Sequence, residues 1–315
     1  MEKPKVFVYP RNSLDKKMLA AQLDLVDNAT AADFAIAWKD DIPGISRNRV
    51  VMCQSEPPIA TGRAVTYQQF AEYHTVIRFD PDPNAANEFP FGDSPHLYPY
   101  RPAMSWRQEP EPDGKGIYFA GMKRTRRFRN PYGYEIIYAL RSRIADRCLQ
   151  EFGGECVGRG WDRNTRGRDR RFPDDPFNLV MWHEKKFIDI KKLNPMFVLS
   201  VENSRVPGYI TEKFWDGLLS GRVMVYLGAP DLAEHVPTGR EAPFIDASEF
   251  YGKGQDNFDL NGLIGRMKQV ERDMTLRADI LWKAKMYLDR IAACDPMDGC
   301  RKLTQFVIER INGEA

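Results

Sequence analysis

The chain has 315 residues, with 46 lysines and arginines against 44 aspartates and glutamates, a net charge of +2. At roughly 150 residues per domain this length suits two domains, each able to bury its own core, and excludes a small stapled scaffold. A composition of 43% hydrophobic and 29% charged residues is that of an ordinary globular chain and excludes a disordered, collagen-like or membrane-embedded one.

The first hundred residues alternate short apolar runs with helical patterns, the mark of a layered α/β domain. Lys5 to Tyr9 reads as a strand, Ser13 as the cap of a helix carrying Leu14, Met18 and Leu19, and Phe34 to Trp38 and Val50 to Cys53 as buried strands. A helix around Tyr67 to Glu72 and a strand around Thr75 to Phe79 follow, and proline-dense Pro81 to Pro102 reads as loop. The polar, proline-broken run Gln108 to Gly116 has the composition of a linker, so the expected domains are 1–110 and 111–315.

From Ile117 the pattern restarts with a strand to Ala120, a basic loop, a helix over about Tyr134 to Glu151 and a glycine-rich turn at Gly153 to Gly160. Phe197 to Val201 is then a strand, Glu202 to Gly208 a loop, Thr211 to Ser220 a helix with Phe214, Trp215, Leu218 and Leu219 on one face, and Val223 to Leu227 a strand. Gly221 suits the stop of that helix. Such a strand–helix–strand unit builds parallel sheets, with its ligand site past the strand's C-terminal end. Amphipathic helices near Leu260 to Val270, Ala278 to Ala293 and Cys300 to Ile311 close the chain, the last two thus expected in the second domain.

Within that unit Asn203, Tyr209, Glu212 and Lys213 lie where backbone N–H groups and the helix dipole favour an anion, and a diphosphate fits. Lys213 can neutralise phosphate charge, Glu212 can accept from a ribose diol, and Tyr209 and Asn203 can orient sugar or phosphate. On spacing alone, Thr211 and Glu212 equally well just start a helix with Lys213 on its wet face.

The string ENSRVPGYITEKFWDGLLSGRVMVYLGAPD resembles the donor-binding signature of the α-1,3-fucosyltransferases, glycosyltransferase family ten, over about thirty residues without a gap. The resemblance implies a GT-B-like fold, two Rossmann-like domains facing a central cleft, and inverting transfer of fucose from GDP-fucose to a glycan such as an N-acetylglucosamine-containing or lipopolysaccharide oligosaccharide. It makes Asn203, Tyr209, Glu212 and Lys213 the donor-contacting positions. Upstream, VVMCQSEPPIATG, AEYHTVIRFDPD and NEFPFG resemble the family's N-terminal stretch, which puts Glu56 in the place of the catalytic base, with Glu-Pro-Pro standing where the family has Glu-Ser-Pro. The family's diphosphate-contacting arginine maps to Arg129 in KRTRRFR, with Arg126 and Arg127 as alternatives.

No metal is expected, because cationic side chains supply the charge and His74, His96, His183 and His235 are isolated. Cys53, Cys148, Cys156, Cys294 and Cys300 read as free thiols, Trp161 and Trp182 as core or as sugar-stacking rings. No run approaches the ~18 apolar residues of a spanning helix and no leader pattern opens the sequence, so the expected place is the cytoplasm, with weak peripheral membrane contact through basic loops as a minor alternative. Two other readings stay open. One is a GT-B transferase using another nucleotide sugar. The other is a nucleic-acid or anionic-polymer binding module built on KRTRRFR and the six arginines from Arg159 to Arg171, which the small net charge disfavours.

Overall fold

The structure is a computed structural model, and it describes residues 3–8, 16–37, 42, 44–54, 75–78, 88–90, 107–125, 135–158, 160–161, 179–292 and 298–313. They form two compact units, Met1–Pro99 with Asp295–Ala315, and Tyr100–Cys294.

The first unit holds β1 (Lys5–Val8), α1 (Lys16–Gln22), β2 (Asp24–Val26), β3 (Phe34–Ala37), β4 (Val50–Gln54), β5 (Thr75–Arg78) and β6 (Glu88–Pro90). All pairings are parallel and the strand order is β2-β1-β3-β4-β5-β6. Two of these strands escape the hydrophobic pattern: β2 is half-exposed, and three-residue β6 lies in the proline-dense stretch expected to be loop. Proline at the end of β6 is tolerated because an edge strand leaves one side unpaired.

The second unit contains β7 (Ile117–Ala120), β8 (Glu135–Ile136), α2 (Tyr138–Phe152), β9 (Gly154–Val157), α3 (Leu179–Leu193), β10 (Phe197–Val201), β11 (Ser204–Arg205), α4 (Glu212–Leu219), β12 (Val223–Leu227), α5 (Leu232–His235), β13 (Ile245–Asp246), α6 (Leu260–Arg272) and α7 (Met274–Ala292). Its main sheet is parallel throughout in the order β13-β12-β10-β7-β9. Strands β10 and β12 are buried at all five positions, which explains why both are apolar except for the buried Ser200 of β10. Helix α4 lays Phe214, Trp215, Leu218 and Leu219 against them, and Gly221 takes the left-handed φ of 65° that turns the chain into β12.

The order 2-1-3-4-5 occurs in both sheets, the doubly wound arrangement whose first and third strands carry their connections to opposite faces. Ligands of such sheets bind at that switch point, which in the second unit lies between β7 and β10. The glycine-rich turn expected at 153–160 contains an edge strand, β9, which pairs with β7 from Ile117 to Ala120.

Two boundaries depart from the sequence reading. Residues 108–116 are tied to the second unit: Gln108 N donates to Leu219 O at 2.9 Å, Glu111 N to Gly221 O at 2.9 Å and Lys115 N to Asn194 O at 3.0 Å. Their polar composition reflects backbone bonding along a surface. The last helix, α8 (Asp298–Asn312), returns to the first unit, where Leu303, Val307, Ile308 and Ile311 pack with Val6, Leu19, Ile36 and Val51. Its apolar stripe needed a partner, and sequence order does not say which sheet supplies it.

Candidate active site at the switch point of the second sheet

The loops leaving β7 and β10 converge at the switch point. Just past β10, Glu202 is wholly buried, at 0% exposure, and its backbone N–H donates to Leu227 O at 2.8 Å. Its Oε1 accepts from the backbone N–H of Thr211 at 2.8 Å and its Oε2 from the Thr211 hydroxyl at 2.7 Å. Tyr226 O–H reaches Oε1 at 3.4 Å. Gly228 keeps this corner open, since a Cβ there would stand 2.1 Å from the Tyr226 hydroxyl oxygen and 2.8 Å from Glu202 Cγ.

Thr211 is also the N-cap of α4, its hydroxyl accepting from Lys213 N. One carboxylate therefore fixes the residue that starts the helix and, through it, the direction of the first turn. Lys213 Nζ lies 3.3 Å from Glu202 Oε2, 2.8 Å from Glu212 Oε1 and 2.9 Å from Thr211 Oγ1. The ammonium thus bridges the buried acid and the partly exposed Glu212 and is fixed at a helix N-terminus, a position that suits a phosphate. Burial pushes the Glu202 carboxyl above its ordinary range, opposed by Lys213 and reinforced by Glu212. Burial also pushes the Tyr226 phenol up, with Glu202 adding to it.

The second half of the site comes from β8 and α2. Antiparallel pairing of β8 with β11 sets Ile136 opposite Ser204, and Ile137 N donates to Asn203 O at 3.0 Å. This lays the start of α2 beside the β10 loop and carries Arg141 to Asn203. Arg141 Nη1 donates to Asn203 Oδ1 at 2.5 Å and Nη2 to Met122 O, in the loop after β7, at 3.1 Å. Its guanidinium lies 5.0 Å from the Tyr138 ring centroid, and that of Arg124 lies 4.6 Å from the same ring. Arg141 is itself buried, which lowers its pKa from the ordinary value, while Tyr138 and Glu202 act the other way.

Asn203, Glu212 and Lys213 are partly exposed. Tyr209 is wholly buried and within electrostatic reach of Arg141, so its place is in the floor of the site. Glu56, Arg129, Arg126 and Arg127 lie outside the described residues. Of the basic loop, Lys123 pairs with Asp146 at 2.7 Å and Arg124 N donates to Ser142 Oγ at 2.9 Å. Trp161 is core: it is buried edge-on to Phe119 and donates from Nε1 to Gly121 O at 2.9 Å. The side chains of Trp182, Cys53, Cys294 and Cys300 lie outside the described residues, while Cys148 and Cys156 are buried free thiols. Glu202, Arg141 and Tyr226 were missed as site residues. Glu202 had a readable signal, an acid at the end of a mostly apolar strand before a Thr-Glu-Lys helix start, whereas Arg141 had none, because its contact depends on the β8–β11 pairing.

Two parallel α/β units of doubly wound order, followed by helices, define a GT-B-type fold, with cations gathered at the switch point of the second sheet. Residues 180–290 match the model of glycosyltransferase family 10 (fucosyltransferase), C-terminal part. A crystal structure of an α1,3-fucosyltransferase with GDP shares the fold, with a TM-score of 0.58 and 13% identity over 99% of this chain and 91% of that one. A second, with GDP-fucose, gives 0.55 and 14% over the same shares. Among curated relatives, α-(1,3)-fucosyltransferase B of Drosophila melanogaster is 38% identical over 50 residues, 16% of this chain and 11% of that protein. GDP-fucose protein O-fucosyltransferase 3 of Canis lupus familiaris is 37% identical over 90 residues, 28% of this chain and 17% of that protein. The matched segments thus span under a fifth of the length of these relatives.

Proposed function

We propose that the protein is an inverting glycosyltransferase that moves fucose from GDP-fucose to a hydroxyl of a glycan acceptor, of the α-1,3/4 linkage type. The observation that carries the reading is the switch-point cluster, in which a buried Glu202 and the capping Thr211 hold Lys213 at the N-terminus of α4, inside the segment that matches the family. Lys213 meets the diphosphate, Glu212 the ribose hydroxyls and Asn203 the phosphate or sugar. Tyr209 supports these groups from the floor. Arg129 adds a second positive charge by resemblance to the family's loop arginine.

In the reaction the acceptor hydroxyl gives its proton to the Glu56 carboxylate while its oxygen bonds to the anomeric carbon of fucose. The bond from that carbon to the β-phosphate oxygen breaks on the opposite face, and GDP leaves with its growing negative charge met by Lys213 and the arginine. The base role of Glu56 rests on the resemblance of its sequence surroundings. Cationic side chains supply the charge stabilisation here, so turnover is expected to survive chelation of divalent metals. The acceptor class is a surface oligosaccharide such as lipopolysaccharide, and the site of action is the cytoplasm.

The test is turnover of GDP-fucose with a panel of N-acetylglucosamine-containing oligosaccharides, in parallel with Glu56→Gln. The expected result is fucosylated product from the parent enzyme, none from Glu56→Gln, and GDP affinity equal in both. Product formation by Glu56→Gln at the parent rate removes Glu56 from the base role.

A further inference from the structure

The structure fastens Asn203 of the ENS–GYITEK segment to α2 through its side chain. Arg141 Nη1 occupies its Oδ1 at 2.5 Å, and the carbonyl oxygen of its backbone is taken by Ile137 N at 3.0 Å. The side-chain amide nitrogen makes no hydrogen bond among the described residues, and Asn203 is partly exposed. Arg141 has no such freedom. It is 3% exposed, held by Met122 O at 3.1 Å and by the Tyr138 and Phe119 rings at 5.0 and 5.7 Å, and its Nε is buried without a hydrogen-bond partner. A carboxamide alone can present either its oxygen or its nitrogen to a ligand. Here a buried cation that can only donate takes the oxygen, so the orientation is settled before any ligand arrives.

We propose that Arg141 is a positioning residue that turns the Asn203 carboxamide so that its NH₂ group, and not its oxygen, faces the ligand, making Asn203 a dedicated hydrogen-bond donor to an oxygen of the donor's diphosphate. The proposal rests on the reading of this site as a GDP-sugar site and adds to it a direction of recognition and a residue, Arg141, that acts without touching the nucleotide. The cost of turning an amide against its preference is removed in advance, which is how preorganisation raises affinity. An anion is the fitting partner because Arg141 holds Asn203 Oδ1, Arg124 shares the Tyr138 ring with Arg141, and Lys213 pairs with Glu202, the neighbour of Asn203 in the chain.

Two variants test this by calorimetric titration with GDP and with guanosine. Asn203→Asp keeps the volume and the acceptor for Arg141 but replaces NH₂ by oxygen. Its GDP Kd is expected to rise roughly 10- to 100-fold, the worth of a hydrogen bond to a charged group plus the new repulsion, with guanosine binding and thermal midpoint unchanged. An unchanged GDP Kd overturns the proposal, since a role in merely holding the loop survives that substitution. The second test is a double-mutant cycle. Arg141→Lys is expected to weaken GDP binding in the parent but to have little further effect in Asn203→Ser, because Arg141 acts through Asn203. Equal losses in both backgrounds give Arg141 an independent structural role and overturn the proposal. If the parent protein binds neither GDP nor guanosine, the nucleotide reading itself fails and the proposal falls with it, whereas parent binding with either negative result above refutes the proposal alone.

Discussion

The two sheets share one topology, 2-1-3-4-5 and parallel, yet they bury different things. In the described part of the first unit the core is aliphatic, Val6, Leu19, Ile36 and Val51 against Leu303, Val307 and Ile308, and its one buried polar side chain is Thr304. In the second unit Arg141, Glu155, Lys186, Asp189, Glu202, Asp216, Arg222, Asp246 and Arg277 are all buried. Burying a charge is costly unless it is paired, so the second sheet spends stability that the first, with the same strand order, does not. The expense is concentrated at the switch point and beneath α4. The difference teaches that topology makes a site available twice, while chemistry in the described residues is built once.

The largest effect expected is on the charges that hold α4. Lys186 Nζ and Asp216 Oδ2 pair at 2.6 Å, each about 7% exposed, so Asp216→Ala should cost 3 to 5 kcal/mol, on the order seen when one partner of a buried pair is removed. Adding Lys186→Met to Asp216→Leu should recover most of that in urea unfolding; no recovery would mean the pair does more than fill space. In the first unit Ile308→Ala should cost roughly 3 kcal/mol through the cavity it leaves, with GDP affinity unmoved in the folded fraction. A matching loss of GDP affinity would break the separation of roles between the units.

Next in size is Lys213→Ala, for which GDP Kd should rise on the order of 100-fold, the usual loss when one partner of a close charge pair goes. The same change leaves Glu202 buried with only its hydrogen-bonded partners, so the thermal midpoint should fall as well. Lys213→Ala combined with Glu202→Gln should regain part of that stability but none of the affinity, which separates the two duties of the lysine.

The smallest effect concerns pH. The folded-state pKa of Glu202 is raised above 4.5, so between 4.5 and its folded value the native state holds more protons than the unfolded chain. The contribution of Glu202 is therefore full below pH 4.5 and declines as pH rises through that window. Glu202→Gln should flatten this decline, read as urea midpoints at stepped pH, and identical slopes in the two proteins would contradict the assignment.

Much of this was legible in the amino-acid order. Strands β10 and β12 and helix α4 are announced by short, largely apolar runs and a 3.6-residue stripe bounded by Thr211 and Gly221, all local signals. What escaped depends on partners far away in sequence. Residues 108–116 look like a linker because backbone hydrogen bonds to Leu219 and Gly221 leave no mark on side-chain composition. Helix α8 shows a stripe but not its destination. In the site, Lys213 and Asn203 stand out through their motif, whereas Arg141 lies in the first turn of a helix, where a lone arginine reads as a solvated charge, and the pairing of β8 with β11 brings it to Asn203. Glu202 was in view throughout, yet its role needed the knowledge that its side chain turns inward to Thr211.

The central claim, that the switch point of the second sheet holds a guanosine diphosphate sugar, is tested most directly by titrating the purified protein calorimetrically with GDP, UDP and GDP-fucose. The account predicts binding of GDP and GDP-fucose, with UDP markedly weaker and the GDP Kd raised on the order of 100-fold in Lys213→Ala. Equal affinity for UDP, or GDP binding that survives Lys213→Ala unchanged, would contradict it.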